Sequence, residues 1–112
     1  MIKLECIVRP ERLDDVKYAL NAVGVVGMTV SEVRGCGRQK GYVQHYRGLE
    51  YHVNLLPKVM IQTVVADDRI EEVLEAVQNA ARTGEIGDGK IFLTRIDDVV
   101  RIRTGERGEI AL

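Results

Sequence analysis

The segment 83–90 has three glycines in six residues, Gly84, Gly87 and Gly89, followed directly by Lys90. Glycine adopts backbone conformations closed to other residues, so the N–H groups of such a segment can turn towards an anion, and a lysine adds positive charge. The segment therefore predicts a turn that binds phosphate. The alternative is a helix end followed by a glycine-rich turn that binds nothing.

This glycine-rich turn (residues 83–90) also matches the first part of a P-loop, because four residues separate Gly84 from Gly89 and Lys90. In a P-loop the next residue is Ser or Thr and ligates Mg²⁺. Here that residue is Ile91, and the pattern predicts a helix before the turn and a strand after it, the reverse of the P-loop order. The sequence therefore excludes a P-loop NTPase.

Two arginines, Arg101 and Arg103, alternate with Val100 and Ile102, which predicts a short strand that carries both guanidinium groups on one face. Guanidinium groups match the geometry of phosphate oxygens. A charged edge strand that resists aggregation is the alternative interpretation.

A second glycine-rich segment, residues 35–41, begins a stretch from Cys36 to about Leu55 that predicts neither helix nor strand. Loops of this length are usually functional or disordered. Its exposed aromatic rings would either anchor a protein partner or pack back onto the body of the protein. The aromatic and histidine residues of the stretch are Tyr42, His45, Tyr46, Tyr51 and His52.

Neither histidine has a third metal ligand nearby, so the pattern does not favour a metal site. No Ser/His/Asp order or Cys/His pair indicates covalent catalysis. The chemistry of the chain therefore points to anion binding rather than to bond making.

The elements that must position these segments come from an internal repeat with a constant offset of 57 positions. The pattern around the first predicted helix recurs around the second, which predicts two strand-helix-strand units. Pro10 marks the start of the first helix and Gly24 its end, while Asp68 with Glu71 predicts a capping box on the second, which Gly84 ends. The repeated pairs are Val8/Val65, Arg12/Arg69, Leu13/Ile70, Asp14/Glu71, Asp15/Glu72, Val16/Val73, Ala19/Ala76 and Leu20/Val77.

Two such βαβ units predict a single α+β domain over residues 1–112, with a ferredoxin-like antiparallel sheet and both helices on one face. The other face of the sheet needs cover. In so short a chain we expect further copies of the same chain to provide it, in a closed homo-oligomer.

Composition limits the partners. The 16 basic and 17 acidic residues nearly cancel, so no overall field draws the protein to nucleic acid or to an anionic membrane. No signal peptide and no apolar stretch of membrane-spanning length is present, and Cys6 and Cys36 show no metal or disulfide spacing. These features predict a cytoplasmic protein with free thiols and no direct membrane insertion.

Taken together, four segments closely resemble the PII signal-transduction family of nitrogen regulation, and the resemblance covers the entire chain. They are residues 35–41, 46–51, 81–90 and 100–106. The family implies a homotrimer with ATP or ADP bound in each cleft between neighbouring subunits. It also implies control of an ammonium transporter or of nitrogen-assimilation enzymes through the long loop at about 36–55.

By this resemblance, Gly87 to Lys90 hold phosphates, Arg101 and Arg103 reach them from the adjacent subunit, and Thr29 with the backbone at Val64 holds the adenine. The implied nucleotide-binding residues are Thr29, Gly35, Gly37, Arg38, Gln39, Gln62, Val64, Gly87, Asp88, Gly89, Lys90, Arg101 and Arg103. The implied 2-oxoglutarate-binding residues are Gln39, Lys40, Gly41 and Lys58, with Gln39 as a ligand of Mg²⁺. Tyr51 matches the tyrosine that a uridylyltransferase modifies in many bacterial members.

Four positions depart from the family pattern. Gln62 replaces a common Glu, which weakens whatever charge-assisted bond that carboxylate makes. Leu49 is not the serine that some members phosphorylate, and His52 and Asn54 alter the descending arm of the long loop. A slow ATPase using the same cleft is the alternative function, although no residue is clearly placed as a general base. An RNA-binding module is excluded by the net charge of -1 and by the missing aromatic platform motif.

Overall fold

Four antiparallel strands form the main sheet of the protein, in the spatial order β2-β5-β1-β6. The structure is a computed structural model; it describes residues 1–37 and 42–112, the latter without the side chains of Tyr42, Gln44 and residues 51–53. The strands are β1 (Ile2–Val8), β2 (Thr29–Gly35), β3 (Tyr42–Tyr46), β4 (Leu49–Val53), β5 (Leu56–Val65) and β6 (Gly89–Arg95). The helices are α1 (Leu13–Ala22) and α2 (Ile70–Ala81), with 3₁₀ turns at Pro10–Arg12, Asp67–Arg69 and Gly108–Ala111.

The order of the elements confirms the predicted double βαβ unit, β1-α1-β2 followed by β5-α2-β6. Even the 3₁₀ turns obey the repeat, because Pro10–Arg12 and Asp67–Arg69 are 57 positions apart, the offset of the two halves. The fold is therefore α+β and ferredoxin-like, as the sequence predicts.

The core lies between the two helices and one face of the sheet. Alternate residues of the central strands point into it, so that Cys6 of β1 stands between Ile61 of β5 and Ile91 of β6 in register. Burying each aliphatic side chain contributes about 1.5–3 kcal/mol, which fixes the register of the strands. The fully buried side chains are Leu4, Cys6, Val8, Val16, Leu20, Ile61, Val73 and Val77.

The opposite face of the sheet carries no helix of the described chain. Its residues alternate between polar and apolar, and Lys3 and Glu5 form an ion pair of 3.0 Å on it. Phe92 on the same face is half exposed. This is the face for which the sequence predicts cover by other copies.

Three details of the sequence prediction are wrong, namely the strand around Arg101, the capping box of α2 and the lack of regular structure in residues 36–55. The predicted strand around Arg101 and Arg103 is instead a turn, with only one isolated bridge between Val100 and Arg107. The capping box of Asp68 and Glu71 is absent, because a 3₁₀ turn precedes α2 and no side chain caps it.

The stretch 36–55, predicted to lack regular structure, contains the hairpin of β3 and β4. Tyr46 pairs with Leu49 across a two-residue turn in which Arg47 and Gly48 have φ values of 52° and 77°. Two positive φ values in succession give the turn the right-handed twist that a tight hairpin needs. The regular pairing therefore extends over ten residues of the stretch.

Candidate functional site

The glycine-rich turn connects the end of α2 to the start of β6, at one end of the main sheet. Gly84, Gly87 and Gly89 have φ values of 92°, 104° and 103°, in the region that favours glycine. Gly89 is further restricted, since a Cβ there would lie 1.7 Å from the carbonyl oxygen of Ile7. Glycine at this position is required for β6 to pair with β1.

The carboxylate of Asp88 holds the turn closed. One oxygen accepts hydrogen bonds from the backbone N–H groups of Thr83 (2.8 Å) and Gly84 (2.9 Å). The other accepts bonds from the Thr83 hydroxyl and, at 3.1 Å, from Nε of Arg9. The Thr83 hydroxyl first, then the two backbone N–H groups and Arg9, hold the pKa of Asp88 well below its usual range, against the opposing effect of burial.

Two cations hold the carbonyl groups of the turn. Nη2 of Arg9 donates to the carbonyl of Ile86 at 2.9 Å, and Nζ of Lys58 donates to the carbonyl of Gly87 at 2.7 Å. The N–H of a trans peptide points opposite to its C=O, and the chain has no cis peptide among the described residues. The N–H of Gly87 therefore points away from Arg9.

This arrangement suits an anion. Within residues 1–37 and 42–112, the N–H of Gly87 has no hydrogen-bond acceptor, and the exposed Lys90 has no ion-pair partner. Arg9 and Lys58 add positive charge behind the turn, and burial, followed by repulsion from Arg9, lowers the pKa of Lys58. A cavity of about 450 Å³ opens beside the turn, between α2 and β6.

The other predicted nucleotide-binding residues fall into separate groups. Thr29 pairs with Gln62 across β2 and β5, and Val64 lies two residues further along β5, on the same open face of the sheet. Lys58 lies on that face too, but six residues from Val64, which corresponds to about 20 Å along a strand. Gly35 ends β2 beside Leu56, and so lies at the Lys58 end with the glycine-rich turn.

Arg101 and Arg103 form a third group, in the turn near the end of the chain. Arg101 donates to Glu106 at 2.7 Å and to the carbonyl of Ile110 at 3.0 Å, while Arg103 is exposed. In the described parts of the chain, no hydrogen bond or ion pair joins either arginine to the glycine-rich turn. Among the described residues, the predicted adenine-binding residues therefore lie far along the sheet from the glycine-rich turn, and no contact joins the two arginines to that turn.

Some predicted site residues lie outside the described residues, namely Arg38, Gln39, Lys40 and Gly41. Tyr51 lies in β4, opposite Gln44. Near the tip of the hairpin, Tyr46 and Leu49 are 59% and 60% exposed, and the guanidinium of Arg47 lies 5.3 Å from the Tyr46 ring centre.

The sequence did not assign Arg9 to the site, and it gave Thr83 no role beyond its place at the start of the glycine-rich turn. Arg9 follows β1 directly and reaches the turn because Val8 pairs with Gly89, 81 positions away in sequence. Periodicity cannot show so distant a contact. The proximity of Thr83 to Asp88 in sequence is the one available signal, because carboxylates often accept local backbone N–H groups.

None of the described helices has both the length and the apolar character needed to cross a membrane.

Comparison with known proteins assigns the family. The model of a family described as nitrogen regulatory protein P-II matches residues 1–106. The chain is 55% identical over 112 residues to the nitrogen regulatory protein P-II of Azospirillum brasilense, with all of both chains covered. It is 56% identical over 108 residues to that of Rhizobium meliloti, covering 96% of each, and 55% identical over 106 residues to nitrogen regulatory protein GlnK of Escherichia coli, covering 95% of each. With this fold and these relatives, the chain belongs to the nitrogen regulatory protein P-II family.

Proposed function

We propose that the chain is a cytoplasmic sensor that binds ATP or ADP together with 2-oxoglutarate and reports their levels to a partner through residues 36–55. The observation that carries this proposal is the glycine-rich turn, whose Ile86 and Gly87 carbonyls are held by two cations while the Gly87 N–H faces away from Arg9. With Lys90 beside it, the turn offers donors and positive charge to a phosphate chain.

The nucleotide would lie between copies of the chain. Three sets of residues are separate within one chain. They are the glycine-rich turn, the proposed adenine-binding residues Thr29 and Val64, and the arginines Arg101 and Arg103. Ring closure of identical subunits would bring the turn of one copy to the other groups of its neighbour. A homotrimer, as the family resemblance implies, would also cover the open face of the sheet.

The C-terminal turn supports such an assembly. Ile102 is 99% exposed, between the two arginines, and Ile110 is 66% exposed. Contact with a neighbouring copy would remove both aliphatic side chains from water, which favours such an assembly. Covering Ile102 would hold Arg101 and Arg103 against the neighbouring subunit.

The effector 2-oxoglutarate would bind next to the phosphates. Lys58 would pair with one carboxylate of 2-oxoglutarate. Because Lys58 also donates to the carbonyl of Gly87, it would connect that carboxylate to the glycine-rich turn. Magnesium prefers oxygen ligands and would be held by phosphate oxygens and Gln39, where it would offset the repulsion between two anions. The ammonium of Lys58 suits a carboxylate, and coupling between the two ligands would be reciprocal.

The partner would be an ammonium transporter or a nitrogen-assimilation enzyme, contacted through the β3-β4 hairpin. Its exposed Tyr46 and Leu49 provide the kind of apolar and aromatic anchors that protein interfaces use. Modification of Tyr51 by a uridylyltransferase would add charge to the same hairpin and so change the partners that it fits.

Catalysis is not favoured. The relatives are named as regulatory proteins. Asp88, the carboxylate of the turn, already accepts bonds from Thr83, Gly84 and Arg9, and its lowered pKa makes it a poor base for water.

Calorimetry tests the proposal. Titration with 2-oxoglutarate in the presence and absence of MgATP should show much tighter binding when MgATP is present. Equal affinity in both titrations would contradict a coupled sensor. Capture from native membranes, with and without both ligands, would then identify the partner, and an ammonium transporter retained in one condition only is the expected result.

A further inference from the structure

We propose that Arg9 is a positioning residue that sets the direction of the Gly87 N–H group, and through it the affinity of the glycine-rich turn for polyphosphate. This inference rests on the proposed nucleotide function and adds a residue that the sequence did not assign to the site. Arg9 acts through Asp88 and Ile86 rather than by contact with the ligand.

One guanidinium group makes both contacts. Nε of Arg9 donates to the Asp88 carboxylate at 3.1 Å, and Nη2 donates to the carbonyl of Ile86 at 2.9 Å. The guanidinium is planar and rigid, so two simultaneous bonds fix the carboxylate and the carbonyl relative to each other. The Ile86 carbonyl and the Gly87 N–H belong to the same peptide plane, so fixing one fixes the other.

The position of Arg9 makes this constraint strong. Its side chain is 16% exposed and that of Asp88 is 23% exposed, so their mutual hydrogen bond is partly shielded from water, while the bond to the Ile86 carbonyl lies at the surface. Val8 pairs with Gly89 in the β1-β6 ladder, which places Arg9 beside the turn without any flexible connection. The nearby Arg12, in contrast, contacts Asp15 on the surface at 3.5 Å and no other carboxylate of the described residues.

Gly87 needs such a constraint because of its own flexibility. Without a side chain it can rotate its peptide planes at little cost, and a rotated plane would present the Ile86 carbonyl oxygen to the anion instead of the N–H. Lys58 holds the next carbonyl, that of Gly87, in the same manner at 2.7 Å. Arg9 and Lys58 therefore fix two successive peptide planes, and Arg9 also donates to the carboxylate that closes the turn.

The experiment compares Arg9→Ala, Arg9→Lys and Thr83→Ala with wild type, and uses Arg12→Ala as the matched control. Affinities for MgATP and for AMP are measured by calorimetry. Arg9→Ala should lower the ratio of MgATP affinity to AMP affinity by about tenfold, since the loss of a charge-assisted hydrogen bond acts on the β- and γ-phosphates. Arg9→Lys should recover part of this ratio, because an ammonium keeps the charge but lacks the two-pronged geometry.

A second measurement separates positioning from general damage. The amide signal of Gly87 in NMR spectra of the wild type should shift on addition of MgATP, and this shift should be lost in Arg9→Ala while the core methyl signals stay unchanged. Thr83→Ala removes a different bond to Asp88 and should cause a smaller loss of the same kind, which keeps the test valid if Arg9→Ala fails to fold.

The possible failures are distinct. If the wild-type protein binds no adenine nucleotide, the proposed function fails, and the role of Arg9 with it. If the wild type binds MgATP and the affinity ratio is unchanged in both Arg9→Ala and Thr83→Ala, the positioning role alone is overturned. An unchanged ratio includes the case in which the variants lose equal affinity for MgATP and AMP.

Discussion

In two turns of this protein, an aspartate carboxylate accepts hydrogen bonds from backbone N–H groups and from an arginine. The two turns differ in where that arginine lies in the fold. In the glycine-rich turn, Asp88 bonds Arg9 from the end of β1, so the turn is tied to the sheet. In the C-terminal turn, Asp98 bonds Arg107, Val99 and Gly108, all within ten positions of it. The second turn is closed on itself.

The difference shows which part of the proposed site one chain can build alone. Bonds to Arg9 and Lys58 anchor the glycine-rich turn on two central strands, and its geometry is complete within the chain. The C-terminal turn keeps its own shape but leaves Ile102 fully exposed. If the proposed assembly forms, the placement of the C-terminal turn would depend on the neighbouring copy, whereas that of the glycine-rich turn would not.

Replacing Gly89 with alanine should have the largest effect, because it breaks the connection of the first turn to the sheet. The new Cβ would meet the carbonyl oxygen of Ile7 at 1.7 Å, and the φ of 103° is strained for alanine. We expect a loss of more than about 4 kcal/mol in the free energy of unfolding, measured by urea denaturation.

Gly105→Ala is the matched control in the C-terminal turn. Its φ of 73° is also positive, but a Cβ there would have no neighbour within 4 Å. The cost should be limited to the backbone conformation, about 1 kcal/mol. Equal losses in the two variants would show that the close approach of Ile7 does not matter.

The next largest effect should come from Asp88→Asn, through a loss of stability that depends on pH. The pKa of Asp88 is lowered in the folded protein, so its contribution to stability is present above the unfolded pKa of about 3.9 and is lost as the pH falls towards the folded value. Asp88→Asn should therefore destabilise the protein clearly at neutral pH and progressively less as the pH falls below about 4.

Asp98→Asn should show the same sign, because Arg107 first and the Val99 N–H second lower the pKa of Asp98. It should lower ATP affinity less than Asp88→Asn does, since Asp98 acts on the proposed arginine contacts with phosphate through the C-terminal turn, whereas Asp88 lies within the proposed phosphate-binding turn itself. Urea unfolding at several pH values, with calorimetry at neutral pH, measures both differences. A stability loss independent of pH would contradict the ion-pair explanation for either residue.

Ile102→Ser should have a smaller effect, which concerns the assembly of copies rather than the fold of one chain. The side chain is 99% exposed, so the stability of the isolated chain should change by less than about 0.5 kcal/mol. Sedimentation velocity should nevertheless show dissociation of the oligomer and weaker ATP binding.

Tyr18→Ser, on the outer surface of α1, offers a control that is 79% exposed and should leave assembly unchanged. An oligomer that survives Ile102→Ser intact would mean that the C-terminal turn is not the contact between copies.

The same contrast explains what the sequence could predict. The 57-position repeat and the alternation of apolar residues determine the strands and helices of the body, since local periodicity and core burial agree there. The alternation of Arg101 and Arg103 failed to give a strand because the Arg101–Glu106 pair and the Gly105 turn bend the chain back within a few residues. A period of two over four residues is too short to prevail over such contacts.

Within the site, the glycine positions of the turn were predictable, but the contacts of the Asp88 carboxylate were not. The assignment of Asp88 to phosphate binding stays a prediction, and the structure adds that its carboxylate is bonded to Thr83, Gly84 and Arg9. The hairpin was missed because Arg47 stands where a turn of this type usually has Asn or Asp; the alternation on either side of Gly48 was the available signal.

The smallest expected change is in the rates at which a reagent modifies the two thiols. These rates should show which of the two turns a substitution has disturbed. Burial raises the pKa of Cys6 to about 11, which keeps the thiol protonated at pH 8, and its neighbours in β5 and β6 exclude reagents. Cys36 is exposed. A thiol reagent should therefore modify Cys36 rapidly and Cys6 only when the sheet opens.

The slow modification of Cys6 should be unchanged in Ile102→Ser, where the sheet is intact. It should be faster in Gly89→Ala, where β6 is detached from β1. Two equally fast thiols in the wild type would show that the β1-β6 pairing, and with it the anchor of the glycine-rich turn, opens readily in solution.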